Sequence, residues 1–304
     1  MSNDVFLMRL CYNFNIFNDK SFMMKNFKIC KKINYETETE EKKLQVDFLT
    51  NYIRQKLTEH SFVESIPSDK KIDYVFSIGG DGTMLHTMRN YVSKKSVIIG
   101  INAGNVGFLT PYNMEDILSS DVFSLIDENK NPRIEKRSIL SHQFFSKKGY
   151  AVNDYAFTPE GPNDVLDFSI EIEHKGLISK AGHYRANALV LSGPSGSTAY
   201  NMNTGGAIVD PVVKCMQMVM VAPTTLGTRP LIISNQSIIH VKTYNKTKFF
   251  SDGVLVEEID PKEKNSIFSV SLMKKEANIL VPQDWNFFSV LSKKLHWNNG
   301  KDIV

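Results

Sequence analysis

The apolar positions change their period part-way along the chain. Phe27–Ile33 is a short apolar run that predicts a strand, and 34–40 is polar. Leu44, Phe48, Tyr52 and Ile53 then recur at helical spacing with Lys, Asp and Arg between them, which predicts an amphipathic helix. Tyr74–Ile78 is a continuous apolar run ending in Gly79-Gly80, the pattern of a buried strand entering a tight turn. Met84, Leu85 and Met88 mark a following helix face, and Ser96–Ile101 is another buried strand. This alternation predicts an α/β layer on a parallel sheet.

Beyond Ile134 the period shortens. Ile139–Phe145, Tyr150–Phe157, Phe168–Ile172, Ala188–Leu191, Met218–Ala222, Ile238–Thr243 and Ile267–Leu272 are β-prone runs separated by Gly, Pro, Asn and Asp. Ser197–Ile208, rich in small residues, interrupts them as a candidate helix. Over Trp285–Trp297, Phe288, Val290, Leu291 and Leu295 predict an amphipathic helix. The expected organisation is an extension over 1–24, an α/β domain with a parallel sheet over 25–137, a β-rich, sandwich-like domain over 138–282, and a carboxy-terminal helix over 283–304 that returns to the first domain.

Composition narrows the function classes. The 304 residues are 42% hydrophobic and 23% charged, as in ordinary globular proteins. Lys+Arg 36 against Asp+Glu 33 leaves +3, too little and too dispersed for a nucleic-acid footprint or a polybasic membrane patch. Cys11, Cys30 and Cys215 are odd in number, widely spaced and without a CxxC pair. That argues against a disulfide framework or zinc site and for a reducing, cytoplasmic compartment. No apolar run reaches the ~20 residues of a membrane helix, and no secretory signal pattern opens the chain. The seven histidines show no metal-ligand spacing, so no protein-held metal is expected.

The most informative segment is Gly79-Gly80-Asp81-Gly82-Thr83, between a predicted strand and a predicted helix. Its glycines permit a sharp turn and close approach of a ligand, and amide groups at a helix start attract phosphate. A carboxylate there repels phosphate, so Asp81 suits a different role, either accepting a proton from a substrate hydroxyl or standing near magnesium. Phosphoryl transfer needs these parts. The plain alternative is a strand–helix turn in which Asp81 or Thr83 caps the helix. The loop lacks the Lys of GxxxxGK[ST] and the spacing of GxGxxG, so neither a Walker-type ATPase nor a Rossmann dehydrogenase is supported.

Several segments together resemble the NAD kinase family. They are Gly79–Thr83; Gly104-Asn105-Val106-Gly107-Phe108-Leu109; Ala151-Val152-Asn153-Asp154; and Gly193–Tyr200 continuing through Gly205–Val209. Ala222-Pro223, Arg229-Pro230, Ser251-Asp252-Gly253 and Val290–Trp297 add smaller matches, in order over about 27–298.

The resemblance implies an ATP-dependent kinase that phosphorylates the 2′-hydroxyl of the adenosine ribose of NAD, with Asp81 as proton acceptor. It implies a dinucleotide site of Asp81, Gly82, His86, Phe108, Asn153, Asp154, Arg185, Asn187, Thr198, Ala199, Tyr200, Met202 and Asn203. It implies a triphosphate site of Gly79, Gly80, Gly82, Thr83, Gly104, Asn105 and Gly107, with Mg2+ held mainly by phosphates and water, and a homo-oligomer, dimer or tetramer, in which one subunit completes another's site.

Three positions depart from the family pattern. Asn187-Ala188 replaces the usual Asp-Gly, Val254 stands where Gln is frequent, and Ser195 where Thr is usual. The first two bear on NAD against NADH preference. ATP or polyphosphate as donor, a non-catalytic NAD(P)-binding protein on the same scaffold, and a GGDGT-type lipid kinase remain as alternatives.

Overall fold

The computed structural model describes residues 25–31, 39–65, 71–104, 107–119, 122–127, 131–262 and 266–296. The expected extension 1–24 lies outside them, as do Cys11, Ile33, Asn105, Val106 and Trp297.

The first unit holds β1 (Asn26–Lys31), α1 (Glu40–Glu59), β2 (Val63–Glu64), β3 (Tyr74–Ile78), α2 (Asp81–Tyr91), β4 (Val97–Asn102), β5 (Tyr112–Asn113), α3 (Met114–Ser119), α4 (Val122–Asp127) and β6 (Ile134–Arg137). β2, β1, β3 and β4 lie side by side, all parallel. Every residue of β3 is buried, as are the last five of β4. Strands covered on both faces read as unbroken apolar runs. On one face, Leu49, Ile53 and Leu57 of α1 pack with Phe76, Ile101, Ile117 and Phe123. On the other, Met84 and Met88 of α2 pack with Val75 and Ile98.

The buried stripe of α1 is Val46, Leu49, Thr50, Ile53 and Leu57, so the expected face is corrected. Leu44 and Phe48 are exposed. Thr50 hides the true stripe in the sequence: its hydroxyl donates to the Val46 carbonyl at 2.7 Å, which lets a polar residue sit in the core.

The chain then builds two antiparallel sheets from β7 (Leu140–Phe144), β8 (Lys147–Ala151), β9 (Asp154–Pro159), β10 (Leu166–His174), β11 (Leu177–Ala186), β12 (Ala188–Ser192), β13 (Cys215–Val221), β14 (Leu231–Ser234), β15 (Ser237–Thr243), β16 (Thr247–Ser251), β17 (Val254–Ile259) and β18 (Ile267–Leu272). Their orders are β11-β10-β15-β18-β7-β8 and β14-β13-β12-β9-β16-β17. Tyr155, Phe157 and Phe249 from one sheet and Phe168 and Phe268 from the other share one core, the sandwich expected from the sequence. The candidate helix over 197–208 is shorter than expected: a 3₁₀ turn at Ser195–Thr198, then the single-turn α5 (Tyr200–Asn203).

β19 (Ala277–Leu280) leaves the sandwich and pairs parallel with β4 and antiparallel with β6. The chain thus rejoins the first sheet before residue 283. α6 (Phe287–Leu295) follows, capped by Asn286, whose Oδ1 accepts from Phe288 N–H at 2.8 Å and Ser289 N–H at 3.3 Å. It buries Phe287 and Leu291 and exposes Phe288, which corrects the expected face by one position. Lys294 Nζ lies 6.0 Å from the centre of the Phe108 ring, so the helix does return to the first unit.

Candidate active site

Gly79 turns the chain out of β3. Its φ is +151°, and a β-carbon there would stand 2.3 Å from Thr83 Oγ1, so glycine alone fits. α2 starts at Asp81, with Gly80 as N-cap and no capping side chain. Neither Asp81 nor Thr83 takes the capping role that a plain turn predicts. The helix start therefore keeps unbonded amide groups at the positive end of its dipole, beside the exposed Gly80 and Gly82. That is the physical make-up of a phosphate cradle.

Asp81 reaches across to the second glycine loop. Phe108 N–H donates to its Oδ2 at 2.9 Å, and Leu109 N–H to its Oδ1 at 3.1 Å. The Thr110 hydroxyl donates to Oδ1 at 3.3 Å and is itself held by Asn102 Nδ2 at 2.8 Å. Asn102 Oδ1 accepts from Gly104 N–H at 2.8 Å, fixing the start of that loop. A carboxylate offers about four lone-pair sites, so three bonds orient Asp81 and leave acceptor capacity for a substrate hydroxyl.

The β-rich unit meets this loop directly. Val152 is buried in one cluster with Met84 of α2 and Leu109 of the second loop, so the residue before the Asn153-Asp154 turn packs on the elements that carry and orient Asp81. The Gly193–Thr198 turn is seated on the same residues. Gly193 N–H and Ser192 Oγ donate to the Asn153 carbonyl at 3.1 and 3.3 Å. A β-carbon on Gly196 would stand 2.0 Å from that oxygen. Tyr200 follows with its side chain exposed.

Asp154 is buried, and that burial, with the Asp252 carboxylate nearby, pushes its pKa up to about 7 against the pull of the Tyr200 N–H. Burial also raises Asp252, opposed by the Asn153 and Val152 amides and by Arg89. On the far side of the second loop, a cavity of about 680 Å³ is lined by Asn102, Gly104, Met114, Lys293, Lys294 and His296. It lies at the carboxyl end of β4, where open α/β sheets hold ligands.

Comparison with known proteins decides the family. The sequence profile of the ATP-NAD kinase N-terminal domain matches residues 13–120, and that of the ATP-NAD kinase C-terminal domain matches 152–278. The chain belongs to the NAD kinase family. A Campylobacter lari NAD kinase is 32% identical over 264 residues, 83% of this chain and 90% of that relative. A Methanothermobacter thermautotrophicus NAD kinase is 37% identical over 191 residues, 62% and 65% of the two chains. The crystal structure of yeast NADH kinase complexed with NADH superposes with a TM-score of 0.74 at 19% identity, covering 92% of this chain and 90% of that one. An Archaeoglobus fulgidus NAD kinase in complex with ATP gives 0.67 at 20% identity, covering 89% and 98%. These two likenesses establish the fold.

In this NAD kinase family member the expected site residues fall into two groups. Gly79 to Thr83, Gly104, Gly107 and Phe108 gather on the two glycine loops around Asp81, and Asn153 and Asp154 gather with the turn that leads into Thr198 to Tyr200; Met202 and Asn203 follow on α5. Asn105 lies outside the described residues. Arg185 and Asn187 are elsewhere. Ser192 of β12 pairs with Asp154, whereas Asn187 precedes the other end of that strand. Five residues of strand separate Asn187 from Ser192 by roughly 17 Å. His86 is exposed on α2, its Nε2 2.9 Å from Asn90 Nδ2. Val254 is exposed at the start of β17.

Sequence reasoning missed Asn102 and Thr110, the buried pair that steadies Asp81. The only local signal was a polar residue closing each of two apolar stretches, Ile101-Asn102 and Leu109-Thr110.

Proposed function

We propose that this NAD kinase transfers the terminal phosphoryl group of ATP to the 2′-hydroxyl of the adenosine ribose of NAD, giving NADP. The observation that carries the reading is Asp81, oriented by two amides and a hydroxyl at an uncapped helix start. In the reaction, Asp81 accepts the proton of the 2′-hydroxyl as that oxygen attacks the terminal phosphorus and the nucleoside diphosphate leaves. Asp154 and Asn153 hold the ribose hydroxyls, and the Tyr200 ring covers a base. The Gly79–Gly82 loop and the Gly104–Gly107 loop hold the triphosphate, with Lys293 and Lys294 beside the second.

Mg2+ enters with ATP. In this reading the phosphates and water carry most of the ion's coordination, as Mg2+ prefers. The setting we assign is cytoplasmic; no helix among the described residues is long and apolar enough to cross a membrane. We also assign a homo-oligomer. Its support is the remoteness of Arg185 and Asn187 from Asp154, which a second copy overcomes by bringing those residues to the nicotinamide end of its neighbour's ligand.

The test is a coupled assay of NADP(H) formation by purified protein, with NAD and NADH each offered alongside ATP or polyphosphate. The reading expects ATP-dependent NADP formation. Binding of NAD without turnover under all four conditions overturns it.

A further inference from the structure

We propose that Asp252 and Arg89 form a positioning pair that fixes the Asn153-Asp154 turn against α2 and thereby sets the affinity for NAD. The inference rests on the reading above, in which that turn holds the ribose.

Asp252 and Gly253 are the two-residue loop between β16 and β17, with Ser251 paired to Val254. Both have positive φ, +47° and +77°, as a tight primed hairpin turn requires. The local reading of Asp-Gly ends there, because Asn-Gly and Gly-Gly serve such a turn equally well. The Asp252 carboxylate does something more. Its Oδ1 accepts from the backbone N–H groups of Val152 at 3.1 Å, Asn153 at 2.8 Å and Asp154 at 3.3 Å, and its Oδ2 accepts from Val152 at 3.1 Å. Asp252 N–H donates in return to the Asp154 carbonyl at 3.0 Å. The hairpin tip is thus clamped onto the three residues that present the ribose ligands.

The carboxylate side chain is only 1% exposed, and among the described residues its charge has one cationic partner, Arg89 Nη1 at 3.5 Å from Oδ2. Arg89 stands in the last turn of α2, the helix that begins at Asp81. One ion pair therefore ties the helix of the proposed base to the turn of the proposed ribose ligands, across the junction of the two units. A buried charge that loses its partner is left uncompensated, so the pair holds its geometry against the Asp154 carboxylate, which sits beside Asp252 and repels it.

Asp252→Asn separates the two roles. Asn-Gly keeps the hairpin turn, and the Asn oxygen still accepts the amides, but the charge facing Arg89 is gone and an NH2 group takes one side of it. The experiment is steady-state kinetics and thermal melting of the full chain carrying Asp252→Asn, Arg89→Met, Arg89→Lys, the Asp252→Asn/Arg89→Met pair, or Asn153→Ala as anchor. The expected result is a KM for NAD raised roughly tenfold by Asp252→Asn and by Arg89→Met, the scale of one lost charge-assisted bond. kcat and the KM for ATP stay within about twofold, Arg89→Lys recovers part of the loss, and the double variant is no worse than either single one. An unchanged KM for NAD in Asn153→Ala overturns the ribose reading itself. A raised value there, with Asp252→Asn and Arg89→Met at the wild-type value or lowering only the melting temperature, overturns the positioning role. So does an equal rise in the KM for both substrates.

Discussion

A β-carbon placed on Gly107 would stand 1.9 Å from the Asp81 Oδ1. Glycine at this position is what allows the second loop to fold under the carboxylate and aim the Phe108 and Leu109 amides at it. Gly107→Ala has no way to keep both the loop and the Asp81 rotamer. Displacing a reacting group by about 1 Å costs roughly 10²-fold in rate. Single-turnover NADP formation should fall on that scale, with NAD affinity, read by fluorescence quenching, changed far less. Wild-type turnover in Gly107→Ala would show that Asp81 need not sit where these amides put it.

The Asp154 carboxyl has a second consequence, in pH. Burial and Asp252 hold its pKa up to about 7. If the ionised form accepts the ribose hydroxyls, NAD binding strengthens as pH rises, with the apparent Kd falling roughly tenfold from pH 6 to pH 8. Asp154→Asn should bind weakly and lose the dependence. A flat profile in the wild type, or an unchanged slope in Asp154→Asn, removes Asp154 from the ribose site. The same raised pKa acts oppositely on the unliganded fold. Asp154 binds more protons folded than unfolded between about pH 4 and 7, so its contribution to stability is present in acid and lost as pH rises through 7.

His142 makes the contrary contribution. Its ring lies between Tyr155 and Phe249, with centroids at 5.0 and 4.9 Å, and burial pushes its pKa down to about 4. Folded, it binds fewer protons than the unfolded chain between about pH 4 and 6.5. Stability from this group is therefore full above 6.5 and is lost as pH falls through 4, by about 3 kcal/mol across the window. Urea unfolding at pH 7 and pH 4.5 should show a smaller acid loss for His142→Phe than for the wild type. Equal losses would mean that the ring titrates freely in the folded state.

Much of the fold was legible in the sequence because its strands are covered on both faces. β3 and β4 read as unbroken apolar runs for that reason, and Gly79-Gly80 ended β3 where the structure ends it. β11 and β17 were not legible, since most of their residues are exposed and carry no apolar alternation. The α1 face was misplaced because Thr50 belongs to the core through a backbone bond of its own. At the site, the glycine loops were visible as motifs, whereas the partners that orient Asp81 were not: Phe108, Leu109 and Thr110 lie 27 to 29 positions away. Asp252 is further hidden, because its amide partners lie 98 to 100 positions earlier and a local reading sees only a turn.

The most direct test of Asp81 as proton acceptor is a single-turnover comparison of the wild type with Asp81→Asn, run beside NAD binding on the same samples. Asn keeps the shape and one acceptor oxygen for either the Phe108 or the Leu109 amide, which bond different oxygens of Asp81, but it no longer takes a proton. Loss of NADP formation by about 10²- to 10⁴-fold, the range of general-base catalysis, with NAD affinity within a few-fold, is the expected outcome. Turnover within a few-fold of wild type would contradict it.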